Sequence, residues 1–268
     1  MNTSIALQVL GIGTWAPGLP DWPALCSYLQ DGTVLDNVAY PPDARVLSPA
    51  ERRRAPHTVR LALEAAAQAV AMSSCDADAL SSVFASAHGD AVIMDAMCTT
   101  LAQAPDQLSP TQFHNSVHNA AAGYWSMATG CRRATSAVCA GNASFGAGLL
   151  EAAVQVVHAS EPVLLVAFDA PGRGPLDAMV TTRTPFACAL VLAPVAGSRQ
   201  AAATLHLQAA PPDDPPSLPQ AGHLRQLAHE HACGHALALL ENLARGGPAT
   251  ACLPAGDTLM LRIASEAG

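Results

Sequence analysis

The chain has 268 residues, of which 50% are hydrophobic and 13% are charged, and its formal net charge is −8. This length predicts one large domain or two small ones with a sizeable core, and the acidic balance argues against a nucleic-acid-binding protein. The eight scattered cysteines contain no Cys-x-x-Cys pair, which indicates reduced thiols in the cytoplasm. Neither a signal peptide nor an apolar run long enough to span a membrane is predicted.

The first hundred residues alternate predicted strands and helices. Strands are predicted over 5–9 and 81–87, and helices over 21–30, 57–72 and 92–102. Gly11 and Gly13 predict a turn directly after the first strand. Residues 31–56 are typical of a loop, which contains the only basic run, at 52–54.

Residues 112–169 are the stretch around which the chain is organised. They predict a helix over 119–129 that ends at Gly130, a strand over 134–139, a turn at 140–142, a helix over 143–157 and a strand over 162–168. The second helix is apolar nearly all round and is therefore predicted to be buried. A sharp turn from a strand into such a helix exposes one side chain at the helix N-terminus, where free N–H groups favour negative charge. Many enzymes hold a nucleophile at such a turn.

Beyond this stretch the alternation continues. Strands are predicted over 186–192, 204–208 and 259–263, and a helix over 224–243 with a break at Gly234. Proline pairs make 210–220 a semi-rigid linker or an exposed loop. The pattern predicts the α/β class, with a mostly parallel sheet covered on both faces. A main domain over 1–196 and a short C-terminal extension over 197–268 packed on it are expected.

The central stretch resembles the ketosynthase branch of the thiolase-like superfamily. Members carry an Asn-x-x-(Ala/Ser)-Gly helix, then Gly-x-x-Gly-Pro, then a strand that ends in Thr-Ala-Cys. Residues 119–123 match the helix, residues 130–134 replace the second segment, and an ungapped count places the nucleophile position on Asn142. Residues 108–119 are similar to the short ketosynthase-like subunit of bacterial aryl polyene and xanthomonadin-type pigment clusters. The resemblance covers about residues 3–195.

The residue at the turn decides how this resemblance is interpreted. A cysteine there would be acidified by the helix N-terminus and would attack a thioester, whereas Asn142 has no ionisable nucleophile. Its carbonyl oxygen suits an N-cap for the helix over 143–157. Cys139 is the rival nucleophile, although inside an apolar strand it would be an inert small hydrophobe. Ser144 does not lie in a Gly-x-Ser-x-Gly pattern, which disfavours a serine hydrolase.

Three histidines near the C-terminus are weak evidence for a metal-binding site. They are His229, His231 and His235. His231 and His235 have the i, i+4 spacing of helical zinc ligands, but no third ligand is placed. A solvent-facing helix is the favoured interpretation, and no metal or cofactor is predicted. His114 and His118 match the motif of the short subunits, which favours a structural or interface role.

For the fold, the resemblance implies the N-terminal half of a thiolase-like fold with a buried central helix and a truncated C-terminal half. Full ketosynthases have a second half that supplies two catalytic histidines, and the tail of this chain holds no matching motif. In this superfamily the strand beside the nucleophile pairs across a dimer axis. That strand corresponds to residues 134–139 here. If its apolar edge stayed unpaired, it would be prone to pair with other chains and aggregate.

Side chains around the turn are the candidates for the acyl tunnel and the subunit interface. They are Phe145, Ser144, His118, Asn119, Ala134, Thr135, Ser136 and Val138. Further tunnel candidates are Met94, Met97, Ala143, Gly146 and Ala147. Helical spacing places the two methionines and Leu101 on the inner face of their helix.

The expected function is that of a non-catalytic, chain-length-factor-like subunit. It would pair with a complete β-ketoacyl synthase in type II fatty acid or polyketide-type pigment biosynthesis, and would meet the acyl carrier protein through that complex. A solvated loop is favoured for the arginines at 52–54 over a carrier-protein contact. The alternative is a stand-alone thiolase-fold acyltransferase or malonyl decarboxylase that uses Cys139 or Asn142.

Overall fold

The structure, a computed structural model, describes residues 4–195 and 200–268. The strands are β1 (Ile5–Trp15), β2 (Ser81–Ala85), β3 (Thr135–Val138), β4 (Val163–Asp169), β5 (Phe186–Pro194), β6 (Ala203–Ala210), β7 (Ala249–Pro254) and β8 (Met260–Ala267). The α-helices are α1 (Trp22–Asp31), α2 (Pro49–Arg54), α3 (His57–Ser73), α4 (Ala91–Gln103), α5 (Pro110–Ser116), α6 (Ala120–Thr129), α7 (Ser144–Ala159), α8 (Gly222–His229) and α9 (Ala236–Arg245). Short 3₁₀ segments lie at Ala77–Ala79, Pro105–Gln107, Gly141–Ala143 and Gly174–Met179.

The strands form one sheet in the order β3-β2-β4-β5-β1-β6-β8-β7. β2 pairs in parallel with β3 and with β4, and the other five pairings are antiparallel. The α/β class is confirmed, with one correction: the sheet is mixed and not mostly parallel. The connections explain this, because parallel neighbours need a crossover such as an α-helix, and no α-helix joins β4 to β5.

Both faces of the sheet are covered, as its apolar strands predict. β4 is buried along its whole length, and β5 is buried except at its last residue. α3 and α6 pack on one face, whereas α1, α7, α8 and α9 pack on the other. None of the helices in the described ranges is long and apolar enough to cross a membrane.

The turn predicted at Gly11 and Gly13 is wrong, since β1 continues through both residues, with a shift in its register to β5 between Val9 and Gly11. A Cβ atom at Gly11 would overlap the carbonyl oxygen of Ala69, and one at Gly13 would overlap that of Ala65. These glycines therefore allow α3 to lie very close to β1, which is a packing role and not a turn role.

The central helix α7 is buried on one face only, which corrects the prediction of a helix buried all round. Phe145, Leu149 and Val156 lie in the core beneath the sheet. Val154 and Val157 are 50% and 57% exposed. The apolar pattern of α7 therefore includes residues that pack in the core and residues that lie on the surface of the chain.

Residues 49–54 form the helix α2 where the composition predicts a loop. Ser48 and Glu51 make a capping box, in which each side chain accepts a hydrogen bond from the backbone N–H of the other residue. The Ser-x-x-Glu signature for this helix is present in the sequence, so the loop prediction overlooked a local signal.

Helix α4 points fewer side chains inward than its spacing predicts. Met97 is buried, but Met94 and Leu101 are 41% and 50% exposed. The helix lies beyond the carboxyl end of β2 and packs on α5 and on the 3₁₀ segment Gly174–Met179. Its outer apolar residues therefore lie on the surface of the chain.

The C-terminal part continues the same sheet. β6 pairs with β1, and β8 lies between β6 and β7. The helix predicted over 224–243 is two helices, α8 and α9, because Gly234 lies in the turn between them, close to the backbone of Ala228. The domain boundary predicted at 196 and 197 lies outside the described residues.

Candidate functional site

The candidate site lies at the sheet edge where β2, β3 and β4 end. These strands run in the same direction, so their carboxyl ends meet there, which is the usual place for ligands in such sheets. The chain passes from β3 into α7 through the 3₁₀ turn Gly141–Ala143. Asn142 is exposed in the middle of this turn. The fold thus presents Asn142 at the N-terminal end of the central helix.

Asn142 does not cap α7, contrary to the prediction. Its Oδ1 accepts a hydrogen bond from the hydroxyl of Thr181 at 2.9 Å. The turn is closed by Ser144, whose hydroxyl oxygen accepts from the Ala140 N–H at 3.0 Å. The reason is geometric, because the 3₁₀ turn places Ala143 and not Asn142 at the N-cap position of α7.

Thr181 connects Asn142 to His88 at the end of β2. The Thr181 N–H donates to Nε2 of His88 at 3.3 Å, and the Thr181 hydroxyl oxygen lies 3.2 Å from the same nitrogen. Segments that follow β2, β3 and β4 therefore meet in one group of side chains. His88, Asn142 and Thr181 are called the turn cluster below. This cluster contains no thiol and no carboxylate.

Cys139, the rival nucleophile, lies one residue beyond β3 and is exposed. This corrects the predicted place of Cys139 inside the strand, whereas its predicted inertness remains a prediction. Its Sγ donates to the Ala87 carbonyl oxygen at 3.4 Å. Because burial does not protect this thiol, its reactivity is open to direct measurement.

A buried carboxylate holds this edge of the sheet together. Asp169 is the last residue of β4 and is fully buried. Its Oδ1 accepts from the Ser86 hydroxyl (2.7 Å) and the His88 N–H (3.0 Å). Its Oδ2 accepts from the Ala87 N–H (2.9 Å) and the Cys233 thiol (3.4 Å). Four donors offset the cost of burying one negative charge and fix the loop that carries His88.

The C-terminal histidines do not share one helix. His231 lies in the turn between α8 and α9, and His235 is the N-cap residue of α9. The Nδ1 of His231 accepts from the Cys233 N–H (3.0 Å), and its Nε2 donates to the Asp169 carbonyl (2.9 Å). Burial lowers the pKa of His231, so its ring is neutral. The solvent-facing prediction is therefore wrong for His231. No group of three or more metal-ligating side chains occurs among the described residues.

Burial also determines the protonation state of the neighbouring thiol, that of Cys233. It raises the pKa of Cys233 well above its ordinary value, and the Asp169 charge acts in the same direction. Cys233 is therefore a protonated donor to Asp169. Together with His231, it ties the turn between α8 and α9 to the end of β4.

The remaining predicted site residues divide between the interior and the surface. Ser144 and Phe145 are buried. His118 borders the loop after β2, where its Nε2 donates to the Ser86 carbonyl oxygen at 2.9 Å. Asn119 is exposed before α6, and its side chain does not cap that helix. The edge of the sheet carries Ala134, Thr135, Ser136 and Val138.

The two edges of the sheet differ. At one edge Ser217 covers β7, since its hydroxyl accepts from the Cys252 N–H (2.9 Å) and its own N–H donates to the Cys252 carbonyl (2.7 Å). At the other edge, within the described ranges, β3 pairs with β2 alone. Alternate residues of a strand direct their backbone groups to opposite sides, so Thr135 and Ala137 direct theirs away from β2. β3 is therefore an open edge beside the turn cluster.

Sequence reasoning missed Thr181 and Asp169. A signal for Asp169 was available, because a carboxylate that ends a continuous apolar strand needs buried donors. No local pattern marks Thr181, which follows the 3₁₀ segment Gly174–Met179 and reaches Asn142 only through the tertiary fold.

Comparison with known proteins relates this geometry to a family. Residues 29–251 match the family profile described as the N-terminal domain of beta-ketoacyl synthase. No curated protein matches the chain. Among solved structures, it is similar to a ketosynthase (ApeO) in complex with its chain length factor (ApeC) from Xenorhabdus doucetiae. The identity is 24% and the TM-score 0.71, with 96% of this chain and 98% of that chain covered.

Two further solved structures have similar folds. One is the ishigamide ketosynthase/chain length factor, with 12% identity, a TM-score of 0.72 and coverage of 98% of this chain and 99% of that chain. The other is AntDE:AntF, a type II polyketide synthase acyl-carrier protein in complex with its ketosynthase, with 11% identity, a TM-score of 0.76 and coverage of 99% and 100%. At these identities the similarity establishes the fold, so the predicted thiolase-like, ketosynthase fold is confirmed.

Proposed function

Because the chain belongs to the β-ketoacyl synthase family, we propose that it is a non-catalytic, chain-length-factor-like subunit. It pairs with a complete β-ketoacyl synthase of a type II fatty acid or polyketide-type pathway and shapes the tunnel for the growing acyl chain. The resemblance of residues 108–119 to the short subunits of pigment clusters favours aryl polyene biosynthesis.

One observation carries this proposal: the exposed residue in the turn before α7 is Asn142. An acyl-enzyme intermediate requires a nucleophile such as a thiolate or a hydroxyl, and a carboxamide supplies neither. The amide oxygen is also engaged by the Thr181 hydroxyl. Asn142 therefore occupies the position that the resemblance assigns to the nucleophile without being able to hold an acyl group.

The open edge of β3 supports the pairing with a ketosynthase. The outward backbone groups of Thr135 and Ala137 gain hydrogen bonds when a partner strand pairs with them. Val154 and Val157 on α7 add apolar surface for burial. The acyl carrier protein meets the complex through the complete ketosynthase, which holds the acyl chain.

The contribution to the tunnel is one of shape. Phe145 is buried in the core, and Gly146 lies against the Pro254 carbonyl, so this part of α7 is packed within the chain. We place the tunnel wall on the exposed side of the same turn, at the turn cluster and at His118.

Co-expression with a complete β-ketoacyl synthase from the same organism tests the proposal. Size-exclusion chromatography with light scattering is expected to show one complex, and condensation of acyl and malonyl carrier proteins is expected only when the ketosynthase is present. A chain that stays apart from the ketosynthase, or that condenses these substrates alone, would contradict the proposal.

The alternative, a stand-alone acyltransferase or decarboxylase, is favoured by the exposure of Cys139. Iodoacetamide labelling of the native chain separates the two functions, because an acidified thiol is alkylated fast at neutral pH. Cys98 is also exposed and serves as an internal reference. Similar rates at both cysteines support the non-catalytic subunit, whereas labelling of Cys139 that is faster by about tenfold or more favours the enzyme.

A further inference from the structure

A cavity of about 480 Å³ lies between the N-terminal ends of α3 and α4 and the loop that follows β4. Its lining includes no residue of the turn cluster, although Asp90 and Ala170 in its wall lie close in the chain to His88 and Asp169. Most of its wall is apolar. The apolar lining includes Ala55, Pro56, Ala91, Ile93, Ala170 and Pro185.

Three polar groups of this cavity, the Tyr40 hydroxyl, the His57 ring and the Arg173 guanidinium, make no hydrogen bond or ion pair in the part of the chain that the structure describes. The Tyr40 ring is held between Trp15 and His57, at centroid distances of 5.5 and 5.6 Å. Arg173 lines the same cavity as Tyr40. Tyr40 is 41% exposed and Arg173 is exposed, so the phenol and the cation lie at the open side of the cavity.

The acidic group of the cavity is already engaged by the protein. Asp90 caps α4, with its Oδ1 accepting from the Ile93 N–H at 2.8 Å, and its Oδ2 accepts from the Thr58 hydroxyl at 2.6 Å. Burial first, and then the Asp90 charge, raise the pKa of Tyr40 to about 12, so its hydroxyl remains a donor at neutral pH. The groups that remain for a ligand are the Tyr40 donor, the His57 ring and the Arg173 positive charge.

We infer that this cavity binds a small carboxylic acid with an apolar body, in its carboxylate form. The guanidinium of Arg173 matches a carboxylate with two parallel N–H···O bonds, and the Tyr40 hydroxyl donates to the same group. The apolar walls take up an aryl or short alkyl body. Asp90 opposes a more highly charged anion, which favours a monoanionic carboxylate over phosphate.

Isothermal titration calorimetry on the full chain tests this site with benzoate and hexanoate, and with the neutral analogues benzyl alcohol and hexanol. We expect both carboxylates to bind at least about tenfold more tightly than the alcohols, because the alcohols lack the charge-assisted pair. A preference between benzoate and hexanoate identifies the aryl or the alkyl body as the better fit.

Three variants assign the effect to residues. Arg173→Gln is expected to weaken carboxylate binding about tenfold and Tyr40→Phe about threefold. Arg132 is exposed and lies outside the cavity lining, so Arg132→Gln is the matched control and is expected to change nothing. Thermal unfolding verifies that each variant is folded.

Three results would overturn the assignment. They are absence of binding by both carboxylates, equal effects of Arg173→Gln and Arg132→Gln, and tighter binding of inorganic phosphate than of benzoate. The proposal does not depend on the pairing with a ketosynthase, since every measurement uses this chain alone.

Discussion

Asp169 is the residue on which the geometry of the site depends most. Its carboxylate accepts four hydrogen bonds, and two of them come from backbone N–H groups of the loop that carries His88. Asp169→Asn places an amide N–H₂ against such donors. We expect the free energy of unfolding in urea to fall by about 2–4 kcal/mol, because buried donors lose their partner.

Asp213 provides the control for this change, since it is exposed in the loop after β6. Asp213→Asn is expected to alter stability by less than about 0.5 kcal/mol. Equal stability of the two variants would show that the Asp169 carboxylate does not anchor the loop.

His231 makes the stability of the fold depend on pH. Burial lowers its pKa in the folded state from the ordinary value of 6.5, the Asp169 charge opposes this effect, and His88 adds to it. Below pH 6.5 the unfolded chain binds a proton that the folded chain does not bind, so stability is present above this pH and is lost as the pH falls. The loss is expected to reach at most about 1.4 kcal/mol per pH unit.

His231→Gln is expected to flatten this dependence in urea unfolding measured between pH 7 and pH 5. His229 is exposed at the end of α8, and His229→Gln serves as the control with an unchanged profile. An unchanged profile in His231→Gln would contradict the role assigned to its burial.

At the scale of elements, the packing of α3 on β1 depends on two glycines. Gly13→Ala adds a methyl group where the Ala65 carbonyl already lies. We expect the midpoint of urea unfolding to drop, with a loss of about 1–3 kcal/mol from overpacking. Gly123→Ala in α6 is the control, since nothing lies within 4 Å of its Cβ position. It should stabilise the helix by about 0.5–1 kcal/mol, and a similar loss in both variants would refute the close-packing role.

The open edge of β3 gives a second prediction at this scale. Ala137→Pro removes an N–H that points away from β2, so the hydrogen bonds to β2 remain. Binding to the ketosynthase, measured by surface plasmon resonance, is expected to weaken by about tenfold or more, with little change in the stability of the isolated chain. Ala137→Ser keeps the N–H and is expected to bind normally. Equal binding by both variants would mean that β3 does not pair with the partner.

Much of the element pattern was predictable because its signals are local. The helix that ends at Gly130 and the apolar strand β4 were predicted to within a residue or two from composition and periodicity. The direction of strand pairing was not predictable in this way, since β5 is antiparallel to both of its neighbours, β4 and β1. Pairing direction depends on how distant segments return to the sheet.

The candidate site was predictable in position but not in contacts. The strand–turn–helix pattern placed Asn142 before α7. The prediction that Asn142 caps α7 was wrong, because its side chain accepts a hydrogen bond from Thr181, 39 residues away. The exposure of Cys139 likewise depends on where β3 ends at the edge of the sheet. Contacts between side chains that are distant in the chain produce no periodic pattern in the sequence, so they could not be predicted from it.

At the scale of the whole molecule, the proposed function depends on the difference between the two edges of the single sheet, β3 and β7. At one edge, Ser217 already engages the backbone N–H and carbonyl of Cys252 in β7. The open edge, β3, lies beside the turn cluster, so a partner paired there would share the wall of the acyl tunnel. In the proposed function, this chain influences how long an acyl chain the complex accommodates without carrying the acyl group itself.

We expect this chain to take part in the complex without carrying an acyl group. Intact-mass measurement of both subunits, after the co-purified complex is incubated with an acyl-loaded carrier protein, tests this claim most directly. We expect the acyl mass on the ketosynthase alone. A stable acyl adduct on this chain, lost in the Cys139→Ala variant, would contradict it.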